Sequence, residues 1–128
     1  MIYGLGNDVL EIDRFLKITS KYTDEQLLRI FTPKEIELAN QKPLYKNKFL
    51  AGRFAAKEAF SKAVGTGIGE HIKLNEIETL RDDKGKPFIK LHNQTKIYAE
   101  NIFPSLSTHI SITNTGDLVF VTVILSKV

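Results

Sequence analysis

The hydrophobic pattern is clearest between Phe49 and Gly67, a stretch that predicts one long helix ended by the Gly65-Thr66-Gly67 breaker. At the helical period, one face carries a stripe of small and apolar side chains: Gly52, Ala56, Ala59, Phe60 and Ala63. The opposite face is also apolar, and it surrounds Glu58 with Leu50, Ala51 and Phe54. The pattern therefore predicts a helix buried on two sides, with Glu58 and Lys62 inserted into the second contact.

The start of the chain alternates in polarity and predicts a β-strand over Met1–Leu10. In that alternation, Gly4 and Gly6 share one face with Asp8. Glycine weakens a strand, so two glycines on one face indicate that something approaches the backbone closely there. Two interpretations stay open: a vacancy beside Asp8 that admits a ligand, or a bulge or tightly packed helix crossing.

Short helices are predicted between this strand and the long helix. Glu11–Lys21 has apolar residues at helical spacing, and a further helical segment runs from Thr23 to Ile30. The segment Thr32–Glu35 combines a capping box with proline at the first helical position, which predicts a helix start. Capping is therefore the default role of Glu35.

The second half of the chain has a β pattern. Strands are predicted at Ile72–Leu74, Ile77–Leu80, Phe88–Leu91, Thr108–Thr113 and Leu118–Leu125. A helix is predicted over Asn93–Phe103, and Asn114–Asp117 joins the last two strands as a hairpin. The final strand is almost wholly apolar, so both of its faces are expected to be covered. Together these elements predict one α+β domain over residues 1–128, with a long central helix packed on a mainly antiparallel sheet.

Composition narrows the class of protein. The chain has 128 residues, 42% of them apolar, with no cysteine and no long uncharged apolar run, which predicts a cytoplasmic domain without a membrane segment. The formal charge of +3 suits an acidic partner or a phosphorylated ligand. Without tryptophan or a dense lysine and arginine cluster, a nucleic-acid-binding domain is the weaker alternative.

The candidate chemistry centres on two carboxylates. No nucleophile triad, Walker loop, dinucleotide fingerprint or zinc spacing is present, which leaves Asp8 beside its glycines and Glu58 ahead of Lys62. If the two carboxylates came within about 4 Å, they would repel by about 4 kcal/mol at an effective dielectric near 20. A divalent cation would offset that repulsion, and Mg²⁺ is commonly held by two carboxylates, phosphate oxygens and waters. The alternative is an internal ion pair between Glu58 and Lys62.

At these positions the chain resembles the bacterial holo-acyl-carrier-protein synthase family of 4′-phosphopantetheinyl transferases. The resemblance lies in Gly4–Asp8 running on to Arg14, in Phe49–Gly67, in Gly85–Pro87 and in His109–Thr113. It implies transfer of the 4′-phosphopantetheine arm of coenzyme A to a serine of apo acyl carrier protein, in support of fatty acid biosynthesis. Adenosine 3′,5′-bisphosphate is the implied product. The resemblance also implies a need for Mg²⁺ and a homotrimer whose active sites lie between subunits.

The resemblance also implies roles for individual residues. Asp8 and Glu58 would bind Mg²⁺, and Lys62 would contact the coenzyme A pyrophosphate. The remaining coenzyme A contacts are expected from Arg53 of the adjacent subunit, Gly65, Thr66, Gly67, Lys86, Pro87, His109 and Asn114. The acidic carrier protein would dock on the basic helical residues Arg14, Lys17 and Lys21.

Two questions stay open. The base that deprotonates the incoming serine is either Glu35 or a metal-bound water or hydroxide. The family commonly has histidine where this chain has Asn114, and asparagine cannot titrate near neutral pH. With Asp8, Glu58 and Lys62 in place, we expect an active transferase. The main rival is a non-catalytic protein of the same fold that binds coenzyme A or a carrier protein.

Overall fold

The computed structural model describes the whole chain from Met1 to Val128 and confirms the predicted α+β class. Ten helices and strands follow one another: β1 (Ile2–Glu11), α1 (Ile12–Thr19), α2 (Asp24–Leu27), α3 (Pro33–Asn40), α4 (Lys46–Val64), β2 (Ile77–Arg81), β3 (Pro87–Leu91), α5 (Asn93–Ile102), β4 (Leu106–Thr115) and β5 (Leu118–Lys127). Short 3₁₀ turns occupy Pro43–Tyr45 and Leu74–Glu76. The capping box predicted at Thr32 is present at the start of α3.

The strands form two antiparallel sheets. The larger has three strands in the order β1-β5-β4, and the smaller pairs β2 with β3. The predicted hairpin between β4 and β5 is confirmed, and it turns at Gly116, whose φ of +55° favours glycine. In the larger sheet Asp8 lies opposite Val121, so Asp8 shares the inner face with the buried valines of β5.

Helix α4 is buried on two sides, as predicted. One side packs its alanines and Phe60 against the inner face of the large sheet, which contributes Val119, Val121, Val123 and Leu125. The other side places Leu50 and Ala51 in a second cluster with Ile12, Phe15, Phe31 and Ala39. Helix α4 therefore contributes to both hydrophobic clusters. Because it is packed on two sides, the side chains between these two faces point in fixed directions.

The glycines of β1 serve the contact with α4. A side chain at Gly4 would collide with the carbonyl oxygen of Ala63, and one at Gly6 would collide with the carbonyl oxygen of Ala59. The helix backbone therefore fills the space that the glycines leave open. The tight helix crossing is confirmed, and the interpretation of the glycines as a ligand vacancy is wrong.

Three further expectations are corrected. Helix α4 begins at Lys46 rather than Phe49. Ile72–Leu74 is not a strand, because the chain enters a 3₁₀ turn at Leu74 before β2 begins. The outer face of β5 is not covered within one chain, since Phe120 remains 43% exposed and Thr122 is exposed as well. An apolar strand alone did not reveal which of its faces this chain would bury.

Candidate active site

The first candidate site lies where β1 crosses α4. The Nζ atom of Lys62 lies 3.0 Å from Oδ1 of Asp8 and donates a second hydrogen bond, 3.1 Å long, to the carbonyl oxygen of Asn7. The Asp8 side chain is 16% exposed and that of Lys62 is 54% exposed. Lys62 thus pairs with Asp8 across the crossing, and the alternative of an internal pair between Glu58 and Lys62 is not what the structure shows.

Glu58 is the uncompensated group of this site. Burial raises the pKa of its carboxyl group, and the negative charge of Asp8 raises it further, while Lys62 opposes both effects. The carboxylate of Glu58 has no hydrogen-bond donor and no ion-pair partner in the chain. The charge of Asp8 thus acts on Glu58, the one nearby lysine pairs with Asp8, and an additional cation would be stabilised there.

The protein supplies only part of what a metal ion would need here. No group of three or more histidine, cysteine, aspartate or glutamate side chains converges at this site or elsewhere. Two carboxylates are, however, the usual protein share of a Mg²⁺ site in which substrate phosphates and waters complete the coordination. The donor set of Asp8 and Glu58 fits that arrangement.

The glycine turn follows directly after α4. Gly65 ends the helix with φ of +98°, and Gly67 has φ of +72°. Both of their amide groups donate to the carbonyl oxygen of Ser61, so these two amides are not free to bind a phosphate. No atom lies within 4 Å of the position a side chain would take at either glycine, so the turn borders open space.

The second candidate site is a basic cleft on another side of the molecule. The cleft has a volume of about 940 Å³. Its lining includes five cationic side chains and no carboxylate: Lys34, Lys42, Lys48, Arg53 and Arg81. Asn114 lies at the end of β4 and also lines the cleft. This excess of positive charge in a concave surface suits an anionic ligand.

Arg53 is the buried member of the cleft. Its residue is 3% exposed, and its guanidinium carbon lies 4.0 Å from the centre of the Phe49 ring. Burial and the neighbouring charge of Arg81 lower the pKa of Arg53 to about 10, although Glu35 acts in the opposite direction. Its Nε atom has no hydrogen-bond partner. A buried guanidinium with a spare donor beside a second arginine favours a bound anion.

A buried ionic network lies beneath the cleft. Glu35 and Lys57, both 0% exposed, form an ion pair with 2.8 Å between Oε1 and Nζ. Glu35 also accepts hydrogen bonds from the amides of Thr32 and Thr79, at 3.0 and 3.2 Å. The candidate base is thus enclosed and saturated with donors. Its role as a base stays a prediction that this burial does not favour.

The other predicted residues lie at the surface. Arg14, Lys17 and Lys21 are exposed on and just after α1. Lys86 and Pro87 lie next to the cleft, because Arg81 pairs with Pro87 in the β2–β3 register. His109 lies on the outer face of the large sheet, where its Nε2 atom is 2.9 Å from Oγ of Ser126.

Within one chain the predicted site is divided. Asp8, Glu58 and Lys62 come together at the helix crossing, whereas Arg53 and Asn114 line the basic cleft. None of the first three residues lines the cleft. Two candidate half-sites are therefore present: one lies where β1 crosses α4, and the other is lined by residues of α4, β2 and β4.

Sequence reasoning missed two sets of residues. The first is Arg81, the last residue of the short strand β2, which no hydrophobic pattern or motif in the sequence indicated. The second is the network of Lys57 with its partners, including Glu78, which accepts from Thr32 and lies 3.1 Å from Nε2 of His92. For Lys57 a signal existed: Leu50, Lys57 and Val64 recur every seven residues on one helix face, so a lysine stands in an apolar row.

Comparison with known proteins shows the family of this chain. Residues 4–115 match the family described as the 4′-phosphopantetheinyl transferase superfamily. The chain belongs to this superfamily of transferases, and within it to the holo-[acyl-carrier-protein] synthases. The "Holo-[acyl-carrier-protein] synthase" of Latilactobacillus sakei is 44% identical over 131 residues, which cover 99% of each chain.

Solved structures show the same fold. The crystal structure of holo-[acyl-carrier-protein] synthase from Neisseria meningitidis matches with a TM-score of 0.89 and 34% identity, covering 99% of this chain and 100% of that one. The Helicobacter pylori holo-[acyl-carrier-protein] synthase, in complex with coenzyme A, matches with a TM-score of 0.80 and 29% identity, covering 95% and 99%. The phosphopantetheinyl transferase-like fold expected from the sequence is therefore confirmed.

Proposed function

We propose that this protein transfers the 4′-phosphopantetheine group of coenzyme A to a serine of apo acyl carrier protein in the cytoplasm, in a Mg²⁺-dependent reaction that supports fatty acid biosynthesis. The bond that breaks lies within the coenzyme A pyrophosphate, and adenosine 3′,5′-bisphosphate leaves. The observation that carries the proposal is the neighbouring pair of carboxylates, Asp8 and Glu58, of which only Asp8 has a lysine partner. Such a charge arrangement suits phosphoryl transfer.

Asp8 and Glu58 would hold the magnesium ion. When bound, the ion polarises the phosphate under attack and neutralises charge on the leaving phosphate. Glu58 has no donor of its own in the chain, so its carboxylate is available as a ligand. Lys62 is more than half exposed and lies within reach of Asp8, so its ammonium group would bind the pyrophosphate beside the two acids.

The basic cleft would bind the nucleotide part of coenzyme A. Arg53 and Arg81 supply two neighbouring positive charges, which together match a phosphate group. Asn114 supplies both a donor and an acceptor where the family commonly has histidine. Lys86 and Pro87 would approach the adenine, and the Gly65–Gly67 turn would lie along the nucleotide. In support, the similar Helicobacter pylori structure is a complex with coenzyme A.

A homotrimer would unite the two half-sites. The crossing of one copy and the cleft of a neighbour would then share one coenzyme A molecule. The outer face of the large sheet suits such assembly, because it exposes Leu5 and Val9 of β1 together with Phe120 of β5. His109 lies on this same face and would be near the subunit boundary.

The carrier protein would dock on α1. Arg14, Lys17 and Lys21 form none of the ion pairs of this chain, so their charges are available to an acidic partner. Arg14 also borders an apolar groove of about 300 Å³, which includes Phe15 and Ile18. No helix of this chain is both long enough and apolar enough to span a membrane.

The deciding experiment is a transfer assay. Purified protein is incubated with apo acyl carrier protein, coenzyme A and Mg²⁺, and the carrier is analysed by mass spectrometry. We expect its mass to rise by one phosphopantetheine group, and we expect no rise with EDTA in place of the metal. Binding of coenzyme A without any mass shift, even at high enzyme concentration, would instead support the non-catalytic rival.

The variant Asn114→His measures how the asparagine at this position, where the family commonly has histidine, affects the transfer rate. If the residue only hydrogen-bonds the ligand, the transfer rate should stay within about tenfold, since one neutral hydrogen bond is exchanged for another. A much larger rise, with a new pH-dependent limb near the ordinary histidine pKa, would show that a titrating group belongs there.

A further inference from the structure

Lys57 makes a set of contacts that only an ammonium group can satisfy. Its Nζ atom donates to Oε1 of Glu35 at 2.8 Å, to the carbonyl oxygen of Leu74 at 2.9 Å, and to the carbonyl oxygen of Ile77. An ammonium group has three N–H donors, and here three acceptors receive them. Burial lowers the pKa of Lys57, but the neighbouring Glu35 opposes that shift.

The three acceptors belong to three different parts of the fold. Glu35 lies in α3, Leu74 in the 3₁₀ turn, and Ile77 at the start of β2. Hydrogen bonds are directional, so a lysine held by all three fixes the rotation of its own helix as well as its position. Apolar packing would do this poorly, because the helix stripe facing the large sheet consists largely of small alanine side chains.

Glu58 is the next residue along the same helix. Successive residues point about 100° apart around a helix axis, so the direction of Lys57 determines the direction of Glu58. On the far side of the helix, the backbone at Ala59 lies against Gly6 of β1. The helix is therefore held between the glycine contact and the lysine contact, and Glu58 projects between them toward Asp8.

We propose that Lys57, with Glu35 as its buried counterion, is a positioning residue that sets the rotation of α4 and so aims Glu58 at Asp8. The proposal rests on the proposed transferase function and assigns Glu35 a role other than general base. Glu35 suits this role because its carboxylate is fully buried and accepts from Thr32, Lys57 and Thr79.

The test uses two variants and one control. Lys57→Met alone would leave Glu35 buried without its cation, so the informative change is the double variant Glu35→Gln with Lys57→Met, which removes both charges. Glu35→Gln alone keeps an oxygen that can accept from Lys57 and Thr32, but it leaves the Lys57 ammonium without its counterion, so its stability is measured together with its activity. Lys96→Met, at an exposed position of α5, controls for loss of one lysine.

We expect the double variant to fold and to lose about 100-fold in kcat, the effect of a small misplacement of a catalytic group. Its KM for coenzyme A should change little, because the cleft residues remain. A ¹³C titration of the Glu58 carboxyl should shift to lower pH, since Asp8 no longer faces it. Glu35→Gln should stay within about tenfold of the parent and keep the shape of the parent's pH profile.

Two results would overturn the proposal. One is a folded double variant with the parental kcat and an unshifted Glu58 titration. The other is a folded Glu35→Gln variant that loses more than about 100-fold and one pH limb, as removal of a general base would cause. If the double variant does not fold, this single variant decides. The titration needs no substrate, so it tests the positioning even if the parent protein shows no transfer.

Discussion

Lys57 and Glu58 are neighbours in sequence and opposites in environment. Lys57 is 0% exposed, and all of its donors have acceptors, so its charge is balanced by the fold. Glu58 is partly exposed, has no donor, and faces the like charge of Asp8. The same helix thus carries one ionic group whose partners all lie within the chain, Lys57, and one whose charge has no partner in the chain, Glu58.

The difference shows how a buried charge and a functional charge can be distinguished. A buried ion whose hydrogen bonds are all made contributes to the specificity of the fold, and removing its partner is costly. A charge left uncompensated by the protein lowers stability and is retained where a ligand compensates it. This criterion supports the proposal that Glu58 and Arg53 bind ligands, and it assigns Lys57 and Glu35 to the framework of the fold.

The largest expected effect is on stability, and it follows from changing the buried residue Lys57. Lys57→Met leaves the Glu35 carboxylate buried without its cation, which should lower the free energy of unfolding by about 3–5 kcal/mol. Urea unfolding of the variant and the parent measures this difference. Since Glu58→Gln removes an uncompensated charge, its free energy of unfolding should equal or exceed that of the parent. Similar losses in both variants would show that the contrast is false.

The next largest effect is on transfer activity, and it follows from changing the partly exposed residue Glu58. Glu58→Gln should reduce transfer activity by at least about 10³-fold, because it removes a charge that acts on the reacting phosphate. Asp8→Asn should behave alike. Both are measured by the mass-spectrometric transfer assay at saturating Mg²⁺. Activity near that of the parent in either variant would remove that residue from the metal site.

Gly6→Ala tests the glycine contact that holds the other side of α4. The added methyl group meets the carbonyl oxygen of Ala59, so we expect the free energy of unfolding to fall by about 1–3 kcal/mol. Thermal unfolding measures the loss. A variant with parental stability and only a raised KM would mean that the glycines serve a ligand instead. Gly69→Ala is the matched control, since no atom lies within 4 Å of a side chain there.

The smallest effect concerns pH. Burial acts to raise the pKa of Glu78, but hydrogen bonds from Thr32 and His92 outweigh it and leave the pKa below its usual value of 4.5. The ionised carboxylate therefore stabilises the fold above that value, and the stabilisation is lost as the pH falls through the lowered pKa. Urea unfolding between pH 6 and pH 3 should show Glu78→Gln losing about 1 kcal/mol less than the parent. Parallel curves would contradict this.

Much of the fold could be predicted because its signals are local. The period of apolar residues around Ala56 and Ala59 marked α4, and the polar break at Asn114–Asp117 marked the hairpin. The errors arose where local pattern was ambiguous. The space beside Gly4 and Gly6 could have admitted a ligand or a helix, and only the structure shows that α4 fills it. The apolar sequence of β5 did not show that Phe120 would stay exposed.

The candidate site divides in the same way. The sequence by itself determined most of the secondary structure, the residue types capable of phosphoryl chemistry and the family, since these depend on periodicity and on motifs such as Phe49–Gly67. Only the tertiary structure decided which charges are satisfied: Lys62 pairs with Asp8 rather than Glu58, and Glu35 closes on Lys57. The reason is physical, because the partner of a charge comes from a distant part of the chain, and its burial depends on everything packed around it.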